Sequence, residues 1–128
     1  LTVDYSKTRQ QFGPPISSFQ VLQHRMVDTF MACEQSKSML YRGLCESKSV
    51  SEGETDGSAL AKTVHALKAT VARYGKTIGE EAIQLHGGIG MTDELNIGHY
   101  VKRLMMINTA FGDGDYHQKK FNQISYMS

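Results

Sequence analysis

The stretch LAKTVHALKATVARYGKTIGEEAIQL, residues 60–85, decides the fold class of this protein. Its apolar side chains recur at steps of three and four residues, which places them on one face of an α-helix. Gly87 and Gly88 follow the last apolar position, and glycine commonly ends a helix because it adopts left-handed backbone angles without strain. The stretch therefore predicts one long amphipathic helix with the apolar stripe Leu60, Val64, Leu67, Val71, Tyr74, Ile78, Ala82 and Leu85.

A second long amphipathic pattern lies upstream, over about residues 17–46. It starts after the turn at residues 13–15, Gly-Pro-Pro, through which a helix cannot continue, and Ser17 or Ser18 can cap it. Residues 47–58, SKSVSEGETDGS, are polar and aperiodic, so they predict an exposed loop between the two helices. The apolar residues of this pattern are Phe19, Leu22, Met26, Phe30, Cys33, Leu40 and Leu44.

Two shorter helical patterns follow, over residues 93–108 and about 115–125. The first can be capped by Thr92 or Asp93, and the second has the weaker apolar face. Nowhere does the sequence alternate apolar and polar residues over a length that would favour a strand. We therefore predict an all-α domain over residues 1–128, folded as a four-helix up-and-down bundle.

Composition limits the classes of function. The chain has 128 residues, 40% of them hydrophobic, which suits one compact domain, and its net charge of +1 offers no field that would hold a nucleic acid. No apolar run approaches the roughly 20 residues that span a bilayer. Cys33 and Cys45 would lie about 18 Å apart on one helix, which disfavours a disulfide. We expect a cytoplasmic protein, without nucleic acid or membrane partners, and the start at Leu1 suggests part of a longer chain.

Three short motifs resemble ligand sites but lack essential residues. Residues 75–77, GKT, would need a glycine where Thr70 stands to form a phosphate-binding loop. The GGIG at residues 87–90 has Asp93 in place of the third glycine of a dinucleotide fingerprint. The DGDYH run at residues 113–117 lacks the further oxygen ligands and the closing Glu of a calcium site. We predict no metal site.

Histidines and methionines favour structural roles. The other histidines show no metal-ligand spacing and are expected mostly on helix surfaces, and methionine at helical spacing favours core filling. The histidines concerned are His24, His65, His86 and His99, and the methionines are Met26, Met39, Met105 and Met106.

Two helix breaks carry the side chains best suited to a ligand: residues 9–20, RQQFGPPISSFQ, and residues 81–90, EAIQLHGGIG. Arg9 beside a helix start suits a diphosphate, since its guanidinium offers paired donors to oxyanions. Gln84, followed by Gly87 and Gly88, lets a large ligand approach the backbone. The alternative is a capped turn and an ordinary helix end, and the residues alone support both interpretations equally.

The same stretches resemble the C-terminal helical domain of acyl-CoA dehydrogenases, flavoenzymes that oxidise an acyl-CoA to the 2,3-enoyl-CoA. The resemblance runs over essentially the whole chain. It rests on four separated motifs, namely R-x-x-F-G (Arg9, Phe12, Gly13), Phe19-Gln20, Ala61-Lys62 and Q-x-x-G-G-x-G over residues 84–90.

This resemblance implies an FAD held across a subunit boundary, and therefore an obligatory dimer or tetramer. It also implies an acyl-CoA substrate and an electron-transfer acceptor. Arg9 would meet the pyrophosphate of FAD. The remaining matching positions are Phe12 and Gln20 on the adenosine side, and Gln84, Gly87 and Gly88 against an FAD bound mainly by a neighbouring subunit.

The resemblance leaves the identity of the catalytic base open. Many family members carry a Glu in a Y-E-G-T segment, but this chain has FGDGD at residues 111–115, with Gly112 aligned to the Glu and Gly114 to the Thr. Three explanations stay open: Asp113 is the base, the base lies on an earlier helix, or this subunit is inactive beside an active partner. The ending is similar to small subunits of bacterial two-subunit acyl-CoA dehydrogenases, which favours a heteromer. Asp115 is expected to be a helix cap.

A different class of function remains as the alternative. In this hypothesis the chain is a catalytically inactive helical bundle with a structural or interaction role, and Arg9 and Gln84 merely cap turns.

Overall fold

The fold is helical throughout the part of the chain that the structure describes. A computed structural model describes residues 1–9, 15, 19–87 and 96–127. These residues form α1 (Thr2–Thr8), α2 (Gln20–Ser51), α3 (Ser58–His86), α4 (Asn96–Thr109) and α5 (Gly114–Met127). Within these ranges there is no strand, and no helix has the length and apolar character needed to cross a membrane. The predicted all-α class is confirmed.

Helix α3 is the centre of the fold, because each of the other helices packs against it. Its antiparallel partner α2 meets it at both ends and in the middle. The Arg25 Nε donates to Glu81 Oε2 at 2.6 Å near the end of α3, and the Tyr74 hydroxyl donates to Gln35 Oε1 at 2.6 Å midway. The start of α2 and the end of α3 therefore lie side by side.

Helices α4 and α5 lie one after the other along α3 and run in the same direction. Asn108 Nδ2, near the end of α4, donates to the Ala72 carbonyl at 3.3 Å, and Gly114, which begins α5, lies against the Ala72 methyl. The two helices together thus cover one side of α3. The short α1 packs on another side, where Ser6 is fully buried and its hydroxyl donates to the Val3 carbonyl at 2.7 Å.

Among the residues that the structure describes, the buried apolar core is small for a chain of this size. It consists of Ala82 and Leu85 from α3, both in the predicted stripe, with Ile97 and Val101 from α4. The α2 residues expected in the core are more open, and Phe30 is 60% exposed. Long helices with few buried side chains leave apolar surface available for other parts of an assembly.

Two predictions about side chains are wrong in part. Met105 and Met106 are 62% and 63% exposed, so these methionines do not fill the core. His86 is buried rather than on the surface.

The loop after α2 is shorter than predicted. The helix continues to Ser51, five residues beyond residue 46, because serine, lysine and valine there do not break it. The first residues that do break it are Gly53 and Gly57, with φ of 74° and 84°. Asp56 Oδ1 then accepts the Ser58 N–H at 3.0 Å at the start of α3.

The other helices begin or end within a few residues of their predicted bounds, and α1 was not predicted. The expected caps at residues 17, 18, 92 and 93 and the turn at residues 13 and 14 lie outside the described residues.

Alanine should have opposite effects at two helical glycines. A Cβ at Gly114 would come within 2.9 Å of the Ala72 Cβ, so Gly114→Ala must separate α3 from α5 and should cost about 1–3 kcal/mol. At Gly43 the nearest atom is Thr63 Cγ2 at 3.7 Å, so Gly43→Ala fits and should stabilise the helix by about 0.5–1 kcal/mol. Thermal unfolding of the complete protein measures both changes. Equal shifts of the midpoint temperature in the two variants would contradict this packing of α5.

Candidate functional site

Arg9 joins the end of α1 to the end of α3. It is the residue at which α1 ends, with extended backbone angles, φ −71° and ψ 125°. Its Nη1 donates to the His86 carbonyl oxygen at 2.8 Å, although the two residues are 77 positions apart. The last carbonyls of a helix have no partner within the helix and carry its negative end, so the guanidinium satisfies one of them.

Gly87 is required where α3 ends against Arg9. Its φ of 65° and ψ of −152° are backbone angles that favour glycine. A Cβ at this position would lie 3.1 Å from Arg9 Nη1 and 3.4 Å from Nη2, so any larger residue would press on the guanidinium. The structure thus brings together Arg9 and Gly87, which the sequence analysis had placed in one cofactor site.

An aromatic pair packs beside Arg9 at the end of α3. The rings of Tyr5 and His86 stack with centroids 4.2 Å apart and planes 17° apart, and His86 is only 1% exposed. His86 Nδ1 lies 2.9 Å from the Ala82 carbonyl, which accepts a hydrogen bond only from a protonated Nδ1. The Arg9 Cζ lies 5.8 Å from the Tyr5 ring centroid, within cation–π range.

Sequence reasoning missed Tyr5 and the burial of His86. The available signal was spacing, since Tyr5 stands four residues before Arg9 and His86 stands immediately before Gly87.

Gln84 is held by a charged pair that the sequence analysis did not single out. Arg25, from α2, donates through Nη2 to Gln84 Oε1 at 2.6 Å and through Nε to Glu81 Oε2 at 2.6 Å. The hydrogen bond with Glu81 raises the pKa of Arg25 above its ordinary value. Gln20 is the first residue of α2 and is exposed, about 7.5 Å along the helix from Arg25.

Four of the six predicted cofactor residues can therefore be placed. Arg9, Gln84 and Gly87 lie at the end of α3, and Gln20 lies at the neighbouring start of α2. Phe12 and Gly88 lie outside the described residues.

Asp113 lies beside the middle of α3, away from Arg9 at the end of that helix. Its Oδ1 accepts the Tyr116 backbone N–H at 2.8 Å, so Asp113 caps α5. The expectation that Asp115 is the cap is wrong, because α5 begins at Gly114 and Asp115 lies within its first turn. Since Gly114 lies against Ala72, this turn is about 21 Å along α3 from His86.

Gly112 has no space for a side chain. Its φ is 97°, and a Cβ there would lie 2.6 Å from Tyr116 Cδ1 and 3.1 Å from His117 Nε2. Gly112 is the position that the resemblance aligns with the usual catalytic Glu. The local backbone therefore differs from one that would carry a carboxylate at that position.

Two histidines connect the turn between α4 and α5 with α3 through hydrogen bonds. His117 Nε2 lies 2.9 Å from the Phe111 carbonyl, and His117 Nδ1 lies 2.8 Å from His65 Nδ1. A nitrogen–nitrogen contact of this length needs one protonated and one unprotonated partner. Burial lowers the pKa of His65, and the charges of His117 and Lys120 lower it further.

Acidification should weaken this attachment. Because the folded protein lowers the pKa of His65, the unfolded chain binds its proton more readily than the folded chain. The free energy of unfolding is therefore expected to decrease as the pH falls below about 6.5, until the lower pKa of the folded protein is passed. Thermal unfolding of the complete protein from pH 7.5 to pH 5 tests this, and His65→Gln should flatten the dependence. Superimposable pH profiles for parent and variant would contradict it.

The described residues contain no group of three or more His, Cys, Asp or Glu side chains that could hold a metal ion.

Comparison with known proteins relates the whole arrangement to one family. Residues 1–122 match the family model "Acyl-CoA dehydrogenase, C-terminal domain". Over 105 residues the chain is 39% identical to acyl-CoA dehydrogenase IpdE2 of Mycolicibacterium smegmatis, covering 80% of this chain and 29% of that protein. It is 30% identical over 118 residues to L-prolyl-[peptidyl-carrier protein] dehydrogenase of a Serratia strain, covering 92% of this chain and 29% of that protein.

Solved structures give the same result. The Tcur3481-Tcur3483 steroid ACAD, in a variant form, superposes with a TM-score of 0.86 at 26% identity, covering 98% of this chain and 33% of the matched chain. An FAD complex of PigA superposes with a TM-score of 0.80 at 27% identity, covering 95% of this chain and 30% of that one. The chain spans less than a third of the length of the curated relatives described above.

Proposed function

Because this chain belongs to the acyl-CoA dehydrogenase family and matches its C-terminal helical domain, we propose that it is the C-terminal domain of an FAD-dependent acyl-CoA dehydrogenase. The reaction is the oxidation of an acyl-CoA to the 2,3-enoyl-CoA. In this proposal the domain contributes contacts to FAD and part of a subunit interface.

The observation that carries the proposal is the meeting of Arg9 with the end of α3. The guanidinium lies against Gly87, where a Cβ would approach it to 3.1 Å, and one of its N–H groups is used by the His86 carbonyl. Arginine has five N–H donors, so others remain for a second partner. A fork of donors beside a glycine backbone fits a diphosphate, and the residues present therefore fit FAD.

The other residues follow the same proposal. Gln84 and Gln20 lie at the same end of the α2–α3 pair. In this proposal they contact FAD together with Gly87, Phe12 and Gly88. When bound, FAD supplies the acceptor for the two electrons that leave the acyl-CoA. Arg9 binds the diphosphate and so fixes where the cofactor lies relative to this domain.

Asp113 is the base that we propose within this chain. A carboxylate next to the activated α-carbon of an acyl thioester can take its proton. Asp113 is exposed, and a carboxylate that accepts one N–H at a helix cap keeps lone pairs for a further partner. The alternatives are a base elsewhere in the assembly and an inactive subunit beside an active partner.

The assembly is proposed to be a dimer or tetramer, with a heteromer favoured. Large apolar side chains on α2 and α4 are open to solvent, including Val27 at 58%, Leu44 at 58% and Tyr100 at 62% exposed. Surfaces of this kind commonly mark protein interfaces. The steroid ACAD that superposes on this chain has two named components, which supports a heteromer. An electron-transfer acceptor completes the reaction, and the free thiols of Cys33 and Cys45 support a cytoplasmic location.

The test is the visible absorption spectrum of the complete protein, purified together with any co-encoded partner. A flavin spectrum that bleaches on addition of an acyl-CoA is the expected result. The panel comprises short-chain acyl-CoAs, a steroid acyl-CoA and a prolyl thioester, since relatives are named for such compounds, and it is completed by long-chain acyl-CoAs. A protein that stays colourless with FAD supplied and its partner present would contradict the proposal and favour an inactive bundle.

A further inference from the structure

Arg25 connects α2 to the proposed cofactor residue Gln84. Its guanidinium makes two short contacts with neighbouring side chains on α3, at 2.6 Å to Glu81 Oε2 and 2.6 Å to Gln84 Oε1. The Arg25 and Glu81 side chains are 28% and 25% exposed, so the ion pair is partly shielded from solvent. Such a pair is screened less than one at the open surface.

The chemistry of arginine determines the orientation of the Gln84 amide. A guanidinium only donates hydrogen bonds, whereas an amide carries one accepting oxygen and one donating NH₂ group. The Gln84 oxygen must therefore face Arg25, because the opposite orientation would place donors against donors. Two contacts, through Nε and Nη2, also fix the plane of the guanidinium.

This arrangement leaves the NH₂ group of Gln84 directed away from Arg25, and Gln84 itself is exposed. A group that meets Gln84 from solvent thus encounters N–H donors. A group that binds to this NH₂ group must be a hydrogen-bond acceptor, such as a phosphate, hydroxyl or ring nitrogen.

We propose that Arg25 is a positioning residue, which touches no cofactor atom itself but holds the Gln84 amide so that its NH₂ group binds an acceptor on FAD. This inference rests on the proposed function. It adds Arg25, which lies in none of the sequence motifs, and it specifies that Gln84 presents hydrogen-bond donors to FAD.

The first test is a set of FAD dissociation constants, measured by flavin fluorescence on the complete protein after removal of its cofactor. Arg25→Gln and Gln84→Ala should each weaken FAD binding about fivefold to tenfold, the effect of one hydrogen bond. The double variant should bind FAD with about the affinity of the single variant that binds it less tightly, because both changes remove the same interaction. Multiplied effects in the double variant, or unchanged binding in Arg25→Gln, would overturn the proposal.

Two further variants separate positioning from general structure. Arg25→Lys keeps the charge beside Glu81 but has no rigid fork, so it should bind FAD with an affinity between those of the parent and Arg25→Gln. Gln84→Glu pairs well with Arg25 and should leave the thermal midpoint unchanged or higher, yet offers no donor and should weaken FAD binding. Parent-like FAD affinity in Gln84→Glu would overturn the proposal even if Arg25→Gln folds poorly.

The matched control is Arg42→Gln on the same helix. Arg42 Nε pairs with Glu46 Oε1 at 2.9 Å, about 25 Å along α2 from Arg25. Its loss should leave FAD binding unchanged, and a loss equal to that of Arg25→Gln would overturn the proposal.

Failure of this inference can be told from failure of the proposed function. If the parent protein binds FAD and Arg9→Ala weakens binding while Arg25→Gln does not, only the role of Arg25 is wrong. If the parent protein does not bind FAD at all, the proposed function is wrong and the inference falls with it.

Discussion

Replacing Asp113 by asparagine is expected to reduce turnover of acyl-CoA by about 10²- to 10⁴-fold while FAD stays bound, if this carboxylate is the base. The substitution is well matched to the structure, because Asp113 also caps α5 through the Tyr116 N–H. Asparagine caps a helix about as well as aspartate, so the free energy of unfolding should change little. A loss of turnover then reports the loss of the base and not a loosened helix.

Anaerobic reduction of the flavin by acyl-CoA measures this step most directly. Asp115→Asn is the control, since Asp115 lies in the first turn of α5 and does not hold the cap contact. It should reduce the flavin at the parent rate. An undiminished rate in Asp113→Asn would move the base to another helix or another subunit.

Replacing Arg9 by alanine is expected to weaken FAD binding about 100-fold, provided that its guanidinium meets the diphosphate. The variant removes the charged donors beside Gly87 and also the hydrogen bond to the His86 carbonyl. The protein should therefore be purified with little flavin and regain its spectrum only at high FAD concentration. Arg9→Lys should bind FAD with intermediate affinity, because an ammonium cannot donate a parallel pair of hydrogen bonds.

Titration of the deflavinated protein with FAD measures the effect. Lys7→Ala is the control, since Lys7 lies on α1 near Arg9 and is exposed. If Arg9→Ala retains flavin as the parent does, Arg9 only closes the end of α3, and the cofactor role assigned to it is wrong.

The sequence predicted the long helices because their apolar spacing is a property of the chain itself. Leu85 and Ala82 belong to the predicted stripe and are buried in the structure. The end of α2 was placed too early, because polar serines and lysines look like a loop while they tolerate a helix until Gly53 interrupts it. The burial of α2 was overestimated, since periodicity indicates which face is apolar but not what covers it.

The site was predictable where a motif marks it and not where only tertiary contacts define it. Arg9 and Gly87 could be paired in advance because each stands at a helix break within a recognisable motif. Arg25 could not, because nothing in the sequence indicates that an arginine of α2 lies opposite Gln84 on α3. The same limit applies to His65 and His117, which are 52 positions apart and meet through the packing of α5 on α3.

The contact between Arg9 and the His86 carbonyl also affects the entropy of ligand binding. A free arginine side chain loses about 1.5–2 kcal/mol of rotamer entropy when it is immobilised. Here part of that freedom is already lost when the chain folds, because the guanidinium is held at the end of α3 and beside Tyr5. An anion that binds at the end of α3 therefore meets a guanidinium that is already ordered. The entropic cost of ordering this side chain arises on folding and does not reduce the affinity for the anion.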